Sequence, residues 1–371
     1  MQRFAFLAAA GAATLAAIAA FTYRRRSEGD EVVVPTTMKA VVVRGGECVV
    51  ISDWPTPTPA AGEILVRVVS TAVNRLDLLQ RLGKAPVPEG VTEVLGLECA
   101  GTVVRLGEGV RAFAIGDEVL ALVSGGGYSE YVALPAETAM RKPTALSWEE
   151  AGSIPEAWLT AFKLVHVVGG VRPREKVLIH AAASGVGVAA IQLAKDAGAI
   201  SFVTVGSKEK LQACVDRLGA ADGAVRHDGA WIEKLQSSPL FNGSVHVVLD
   251  PVASSYAEQN LAALAIDGRW VLYSALSGPG LPEAVGKTYF GSMARKRLSL
   301  LATTLRTRPL AFKEALVERF AREVLPKLAT GRLEHIIDRV FVGLEQAQAA
   351  HEYMESNANV GKIVLKHLRE G

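Results

Sequence analysis

The chain has 371 residues, which is too long for one ordinary hydrophobic core and predicts two domains. Half of the residues are hydrophobic, 21% are charged and the net charge is +2, a profile typical of a globular enzyme, without the basic excess that would indicate nucleic-acid binding. The three cysteines, Cys48, Cys99 and Cys214, are scattered. They exclude a disulfide framework and a Cys-x-x-Cys zinc clip and indicate a reducing compartment.

The beginning of the chain differs from the rest. Residues 4–23 carry no charge, and Arg24, Arg25 and Arg26 follow directly. As a helix, such a run spans about 30 Å, the thickness of a bilayer's hydrocarbon core. The arginines favour a retained membrane anchor with the rest of the chain facing the cytosol. A mitochondrial presequence is the alternative, because no acid precedes Glu28. A cleaved secretory signal is disfavoured by the cysteine pattern, and residues 27–37 look like a linker.

Short apolar strands and turns then alternate as far as residue 132, without a long helix. Strands are predicted at 38–43, 49–54 and 63–70, and others follow the turns within 96–104, 113–119 and 125–132. This pattern predicts a compact, mostly-β domain.

One helical segment within this region, residues 72–83, carries polar residues at a spacing of three. Asn74, Asp77 and Gln80 fall on one face of a helical turn. They either line a cleft, or Asn74 caps the helix while Asp77 pairs with Arg75 or Arg81 at the surface. Tyr128, after the glycines of 125–127, either adds a hydroxyl to such a cleft or is a structural tyrosine.

Residues 176–195 have the pattern of a strand, a glycine turn and a helix. The apolar run 177–179 predicts a buried parallel strand, the turn covers 181–187, and a helical pattern begins at Val188. This is the first half of a dinucleotide-binding βαβ unit, although Ala182 and Ser184 replace the first two glycines of G-x-G-x-x-G and only Gly187 keeps the third. The turn lets backbone N–H groups approach a pyrophosphate at the helix N-terminus.

The next strand indicates which dinucleotide binds. The run 200–205 ends in Gly206 and Ser207, with Lys208 and Lys210 following. A site for NAD needs a carboxylate there for the ribose 2′-hydroxyl. A hydroxyl and ammonium groups suit a 2′-phosphate instead, so the predicted cofactor is NADPH; a solvated helix start is the alternative interpretation.

The remaining pattern completes the fold class. Strands near 245–249 and 270–273 alternate with helices, as a doubly wound parallel sheet requires. The end of the chain again has the pattern of the first, mostly-β region, with a strand at 333–341, a helix at 343–354 and a strand at 363–365. We therefore predict an α/β protein with a Rossmann domain at 155–303, inserted into a mostly-β catalytic domain built from 38–154 and 304–371.

Motifs in this order resemble the medium-chain dehydrogenase/reductase superfamily, in its zinc-free quinone oxidoreductase (zeta-crystallin-like) branch. The likeness covers about residues 38–367, and its motifs are Ala72-Val-Asn-Arg-Leu-Asp77, Gly96-Leu-Glu98, Ile115-Gly-Asp-Glu-Val119, Gly125-Gly-Gly-Tyr128, and the segments 151–163, 180–193, 267–273 and 359–365. The resemblance implies a GroES-like fold for the catalytic domain and a homodimer formed through edge strands of the Rossmann sheets.

Zinc is not expected. The zinc alcohol dehydrogenases have a Gly-His-Glu segment and an early ligating cysteine, and here Leu97 and Asn74 stand at those positions. Without a Lewis acid the chain would favour acceptors that are already electron-poor, namely quinones and α,β-unsaturated carbonyls.

The resemblance also implies roles for individual residues. Asn74, Asp77, Gln80 and Tyr128 would act in the catalytic cleft, and Asn74 would also touch the cofactor. The other residues that would bind NADPH are Thr160, Ser184, Gly185, Val186, Gly187, Gly206, Ser207, Lys210, Arg226, Tyr273, Ser274 and Asn359.

One departure from the family affects the predicted activity. Many relatives place a tyrosine shortly after Gly83, where this chain has Ala85. The leading interpretation is an NADPH-dependent reductase of quinones or conjugated carbonyls. An enoyl-thioester reductase is the alternative within enzymes, and a membrane-attached, NADPH-binding sensing or interaction protein is the alternative outside them.

Overall fold

The structure is a computed structural model that describes residues 33–226 and 231–368. The hydrophobic helix predicted at 4–23 lies outside these residues. In the described part of the chain, no helix has the length and apolar character needed to cross a membrane.

The first part of the chain is rich in antiparallel strands. β1 and β2 form a separate two-stranded antiparallel sheet. The elements are β1 (Thr37–Arg44), β2 (Glu47–Pro55), β3 (Glu63–Val73), α1 (Arg75–Arg81), β4 (Glu98–Leu106), β5 (Glu118–Leu122), β6 (Tyr131–Pro135), a 3-10 turn (Ala136–Thr138), β7 (Ala139–Arg141), α2 (Trp148–Ala151) and α3 (Pro155–Phe162), which continues into a π-helical turn (Lys163–Val168).

The middle of the chain builds a six-stranded sheet in which all strands are parallel, in the order β10-β9-β8-β11-β12-β13. Its elements are β8 (Lys176–Ile179), α4 (Gly185–Asp196), β9 (Ile200–Val205), α5 (Lys208–Gln212), a π-helical turn (Ala213–Arg217), β10 (Asp222–Val225), α6 (Trp231–Ser237), β11 (Val245–Asp250), a 3-10 turn (Ser254–Tyr256), α7 (Ala257–Ala263), β12 (Leu264–Leu272), α8 (Glu283–Lys296) and β13 (Ser299–Ala302). The order reverses between β8 and β11, where such sheets bind ligands at their carboxyl edge.

The last part of the chain returns to the antiparallel strands. The seven-stranded sheet has the order β14-β15-β3-β4-β5-β7, and β6 also pairs with β3. The elements are α9 (Leu310–Glu323), α10 (Leu325–Ala329), β14 (Ile337–Val342), a 3-10 turn (Leu344–Gln346), α11 (Ala347–Glu355) and β15 (Lys362–Lys366). The sheet is therefore assembled from residues before and after the parallel sheet.

One hydrophobic core joins the two sheets. Leu120 of β5, Trp158 of α3, Ile191 of α4 and Phe320 of α9 belong to the same cluster of buried side chains. The GroES-like and Rossmann architectures are confirmed, while the boundaries at residues 154 and 303 stay a prediction.

Two element boundaries differ from the sequence prediction. α4 begins at Gly185 and not at Val188, because Ser184 caps the helix: its Oγ accepts a hydrogen bond from the N–H of Gly187 at 3.1 Å. The helix predicted at 343–354 is a 3-10 turn followed by α11, since Gly343 has a φ of 94° and cannot be helical.

Candidate active site

The dinucleotide loop lies between β8 and α4. Gly187 is packed so closely that a Cβ atom at this position would lie 2.4 Å from the carbonyl oxygen of Ala182. The N-terminus of the twelve-residue α4 faces out of this loop with its positive partial charge. A loop of small residues at a helix start fits a pyrophosphate, as predicted for Ser184, Gly185, Val186 and Gly187.

The chain after α11 closes against this loop. The N–H of Gly361 donates to the carbonyl of Ala183 at 2.9 Å, and the Asn359 side chain donates to the carbonyl of Gly361 at 2.8 Å. A Cβ atom on Gly185 would lie 2.6 Å from Cδ of Lys362. The structure therefore brings the predicted residues Gly185 and Asn359 together, although 174 positions separate them (359 − 185).

A buried charge network lies beside the loop. Lys362 donates from Nζ to Oδ1 of Asn74 and to Oε1 of Glu98, each at 2.7 Å, and Asn74 donates from Nδ2 to Oε1 of Glu98 at 2.8 Å. The side chains of Lys362 and Glu98 are 4% and 0% exposed. Asn74 is thus fixed by two groups that the sequence analysis did not assign to the site. Both residues lie in motifs that carry the family resemblance, Gly96-Leu-Glu98 and the segment 359–365, and these motifs could have indicated that they belong to the site.

Asp77 lies in the interior and not at the surface. Its carboxylate accepts hydrogen bonds from the N–H groups of Asn74 at 2.8 Å and Gly96 at 3.2 Å, and it is 1% exposed. Burial raises its pKa to about 7. The alternative of a surface pair is wrong, because Arg75 binds Asn357 and Arg81 binds Glu355.

Tyr128 also lies in the interior. It is fully buried, with its hydroxyl 3.4 Å from Oδ2 of Asp77 and 3.3 Å from Nε2 of His351. The geometry favours the structural interpretation, in which Tyr128 and Asp77 hold α1 in place. Their predicted catalytic roles stay predictions.

Gln80 faces a different group of residues. Its Oε1 accepts from Nη1 of Arg306 at 2.9 Å, and Nε of Arg306 donates to the carbonyl of Ser124 at 2.7 Å. Arg306 follows β13 at the carboxyl edge of the parallel sheet. Its contact with Gln80 therefore places Gln80 near the sheet edge at which a cofactor is expected.

Thr160, another residue predicted to bind the cofactor, lies on α3 and is 8% exposed.

Positive charges collect where β9 ends. Ser207 caps α5 by accepting from the N–H of Lys210 at 3.3 Å. Nζ of Lys210 donates to the carbonyl of Asn357 at 2.6 Å, and Arg75 donates from Nη2 to Oδ1 of the same residue at 2.8 Å. Burial lowers the pKa of Lys210, and Arg226 and Arg75 act in the same direction. Arg75 is therefore a third cation of this group, one that the sequence analysis did not assign to it.

The remaining predicted residues lie at the same edge of the parallel sheet. Tyr273 and Ser274 follow β12 and are half-buried, and burial raises the pKa of Tyr273. Gly206 follows β9, and a Cβ atom there would meet no atom of residues 33–226 or 231–368 within 4 Å. The backbone at Gly206 is thus open to a ligand.

No group of three His, Cys, Asp or Glu side chains is placed to hold a metal ion among residues 33–226 and 231–368. Leu97, at the position of the zinc-ligating histidine, is 1% exposed and packed in the interior.

Comparison with protein families agrees with this architecture. Residues 60–144 match the alcohol dehydrogenase GroES-like domain, and residues 218–365 match the model described as zinc-binding dehydrogenase. The fold and the matching models place the chain among the medium-chain oxidoreductases.

Similarity to two known proteins indicates the branch of the family. The chain is 32% identical over 325 residues to a quinone oxidoreductase of Salmonella typhimurium, covering 86% of this chain and 96% of that protein. It is 29% identical over 322 residues to the synaptic vesicle membrane protein VAT-1 homolog of Danio rerio, covering 83% of this chain but only 65% of that protein. The chain belongs to the medium-chain dehydrogenase/reductase superfamily, in its zeta-crystallin-like quinone oxidoreductase branch.

Solved structures show the same fold. The Escherichia coli quinone oxidoreductase complexed with NADPH superposes with a TM-score of 0.76 at 29% identity, covering 90% of this chain and 100% of that one. The CurK enoyl reductase superposes with a TM-score of 0.77 at 26% identity, with the same coverage.

Proposed function

We propose that this chain is an NADPH-dependent reductase that transfers hydride to quinones or other electron-poor conjugated carbonyls without zinc. The observation that carries the proposal is the meeting of the dinucleotide loop with the Lys362, Glu98 and Asn74 network. A buried, hydrogen-bonded polar network next to the loop supports a cofactor site there. A bound NADPH supplies the hydride, and the residues of the chain orient both reactants and exclude water. The likeness to a quinone oxidoreductase supports the acceptor class.

The full-length chain is tested by following loss of the reduced nicotinamide with a panel of quinones, enones and enoyl thioesters. We expect turnover with at least one quinone or enone. Turnover with enoyl thioesters alone would favour the alternative supported by the likeness to CurK. Tight NADPH binding with no turnover of any acceptor would contradict the proposal and favour a sensing or interaction protein. Ala85, which stands where many relatives have a tyrosine, supports that alternative.

Zinc independence has its own measurement. Leucine cannot ligate a metal, so Leu97 supports a reaction without zinc. We expect the purified enzyme to keep its turnover after dialysis against a chelator, and loss of activity that added zinc restores would contradict this.

The choice of NADPH is supported by the three cations at the end of β9. A charge-assisted hydrogen bond is worth about 1.5–3 kcal/mol, so removing one phosphate contact weakens binding by roughly tenfold to a hundredfold. We expect Lys210→Ala and Arg75→Ala each to raise the Kd for NADPH by such a factor and to leave the Kd for NADH almost unchanged. Titration of both dinucleotides by fluorescence measures this.

A basic residue away from this group serves as the control. Lys287 forms an exposed ion pair with Glu283 on α8, and we expect Lys287→Ala to change neither Kd. Equal affinity of the unmodified protein for NADPH and NADH would contradict the assignment. If only Arg226→Ala removed the preference, the phosphate site would be right and the choice of its main cation wrong.

We also propose that residues 4–23 attach the protein to a membrane with the enzyme facing the cytosol, with mitochondrial import as the alternative. The uncharged run followed by three arginines supports this. Carbonate extraction and protease protection of the full-length chain in cells are the tests. Recovery in the soluble fraction would contradict an anchor, and a shortened mature N-terminus would indicate a presequence.

A further inference from the structure

Two titratable side chains share one side of α3 and its π-helical continuation. Glu156 is near the start of the helix and Lys163 begins the π-helical turn. Positions 156, 160 and 163 are separated by four and three residues, so they follow one side of the helix, with Thr160 between the two charges. The N–H of Glu156 donates to Oε2 of Glu98 at 2.9 Å, which ties this side of α3 to the buried network.

Among residues 33–226 and 231–368, the carboxylate of Glu156 and the ammonium of Lys163 form no hydrogen bond or ion pair, although Lys163 is only 1% exposed. The two groups interact with each other electrostatically, without direct contact. An unpaired ammonium in the interior is costly. A π-helical turn is uncommon and occurs often at functional sites. Both observations indicate that Lys163 meets a group that another molecule or a transient state provides.

A third unpartnered group points to the same place. Nη2 of Arg306 is buried and has no hydrogen-bond partner among the residues that the structure describes, while Nη1 and Nε donate to Gln80 and Ser124. The guanidinium of Arg306 interacts electrostatically with Glu156, and so does the ammonium of Lys313. Lys313 is itself held by Oγ of Ser124 at 3.1 Å. Glu156 is therefore the one carboxylate that these cations share.

α3 also packs on the dinucleotide loop. A Cβ atom on Gly185 would lie 3.4 Å from Cβ of Ala157, the residue after Glu156. The unpaired carboxylate is thus close to the loop on one side and to the cations of the cleft on the other. This is where an acceptor would lie if it received hydride from the cofactor.

We propose that Glu156 is the catalytic proton donor of this enzyme, and that Lys163 is a positioning residue that stabilises the carboxylate left after the transfer. The proposal rests on the proposed reductase function. Hydride from NADPH forms a C–H bond at the electron-poor carbon of the acceptor, and an electron pair moves to the carbonyl or quinone oxygen. The O–H bond of Glu156 then breaks, its proton goes to that anion, and the cofactor leaves oxidised. Glu156 is half-buried, so solvent can return the proton.

The charges around Glu156 suit this role. Burial and, after it, the carboxylates of Glu98 and Asp77 raise its pKa to about 7, against the opposite effect of Lys163 and Lys362. Arg306 and Lys313 also interact with it electrostatically and favour the ionised form. Because the acid must be protonated to act, we expect kcat to be highest below this pKa and to fall as the pH rises through it.

The substitution Glu156→Gln keeps the shape of the side chain and removes the proton. General acid catalysis contributes at least about a hundredfold to a rate, so we expect a loss of that order in kcat, an unchanged Kd for NADPH and no alkaline fall tied to this group. Glu156→Asp should recover part of the rate. Lys163→Met should move the alkaline fall to higher pH, because the loss of a cation raises the pKa of the acid. Glu318→Gln, on the exposed side of α9, is the matched control and should behave as the unmodified enzyme.

A second readout does not depend on turnover. Infrared difference spectra of the full chain without cofactor should show C=O stretches of protonated carboxylic acids that disappear near neutral pH. Glu156→Gln should remove the part that belongs to Glu156 and leave the part that belongs to Asp77, whose pKa is also raised to about 7. A Glu156→Gln enzyme with the normal kcat and pH profile would overturn the proposal. If no acceptor is turned over at all, the proposed function fails, and the spectra still decide: equal bands in the unmodified protein and in Glu156→Gln would overturn the assignment of Glu156. Melting temperatures of all variants check that they are folded.

Discussion

At the scale of single residues, Lys362 has the clearest energetic role. It is the only cation in hydrogen-bond contact with the buried carboxylate of Glu98 among the residues that the structure describes. Removing one partner of a buried ion pair leaves the other charge uncompensated, which costs about 3–5 kcal/mol. We expect Lys362→Met to lower the free energy of unfolding by this amount in urea titrations, and Glu98→Gln combined with Lys362→Met to recover part of it.

Lys366 provides the matched control for Lys362. It lies on the same strand, four residues further on, and pairs with Glu149 at a half-exposed position. Exposed pairs contribute only about 0–1 kcal/mol, so Lys366→Met should cost less than about 1 kcal/mol. Equal losses in the two variants would contradict the importance given to the buried network.

His335 gives a pH dependence to stability. Trp158 donates from Nε1 to Nδ1 of His335 at 2.8 Å, and Oγ of Ser153 lies 2.7 Å from Nε2. A proton on Nδ1 would remove the first hydrogen bond, and burial lowers the pKa of His335 from 6.5 to about 3. Between these values the unfolded chain binds the proton and the folded chain does not, so the contribution to stability is lost as the pH falls below about 6.5, by at most ~1.4 kcal/mol per pH unit.

The measurement for His335 is urea unfolding of the unmodified protein and of His335→Gln at several pH values. Glutamine can still accept from Trp158 but does not titrate. We expect the difference in unfolding free energy between the two proteins to shrink steadily on acidification. Parallel pH profiles would show that His335 is protonated equally in both states.

A site residue could be predicted from the sequence when the residues it contacts are close to it along the chain, and not when they are distant. The spacing of Asn74 and Asp77 is local, and it placed both on α1. Glu98 and Lys362 are 264 positions apart, and nothing in their own segments indicates that β15 brings them into contact. Arg75 was missed for the same reason, because Asn357, which holds it near Lys210, is 282 positions away.

At the scale of elements, two glycines of the predicted cofactor site have different roles: we expect one to be needed for stability and the other for cofactor binding. A Cβ atom on Gly187 would meet three backbone atoms of Ala182 at 2.4–2.5 Å, whereas one on Gly206 would meet nothing within 4 Å. We expect Gly187→Ala to cost about 1–3 kcal/mol of stability through overpacking. Gly206→Ala should keep its stability and weaken NADPH binding, because the added methyl group stands where the cofactor approaches the backbone.

Urea unfolding and NADPH titration of the two glycine variants test this pair. Gly291, in the exposed part of α8 with open space around it, is the control, and Gly291→Ala should leave NADPH binding unchanged. Normal NADPH affinity in Gly206→Ala would show that the cofactor does not approach this turn.

β9 was predicted at 200–205 and lies there, because a buried parallel strand is apolar on both faces and stops where polar residues begin. Two other strand starts were wrong: β12 begins at Leu264 and not near residue 270, and β14 begins at Ile337 and not at residue 333. α4 starts three residues earlier than predicted. Its first turn contains Gly185 and Gly187, which have low helix propensity, and the side chain of Ser184 decides the start by capping.

At the scale of the whole molecule, β13 supports the proposed homodimer. It is an edge strand of the parallel sheet and pairs only with β12 in the part of the chain that the structure describes. Leu300, in this strand, is 42% exposed. An exposed apolar edge strand is a surface on which another strand can pair.

We therefore expect sedimentation equilibrium to give about twice the chain mass of 39.3 kDa. Leu300→Lys should shift the mass towards that of one chain, because charged edge residues prevent pairing. Leu240→Lys, at an exposed position outside the strands, is the control. A single-chain mass for the unmodified protein would contradict the dimer.

The position of β15 has a consequence for how the protein is made. β15 lies between β14 and β3 and pairs with residues 70–73 of β3, on the side where β6 already covers residues 63–67. The end of β3 therefore has no neighbour on that side until residues 362–366 leave the ribosome. Throughout most of translation the nascent chain carries a short open strand edge there and a Glu98 that lacks its ion-pair partner. Early folding of the parallel sheet can neither cover this strand edge nor provide a partner for Glu98. The growing polypeptide should depend on chaperones until its synthesis is almost finished, and ribosomes that stop before Lys362 should release aggregation-prone products and no partly active enzyme.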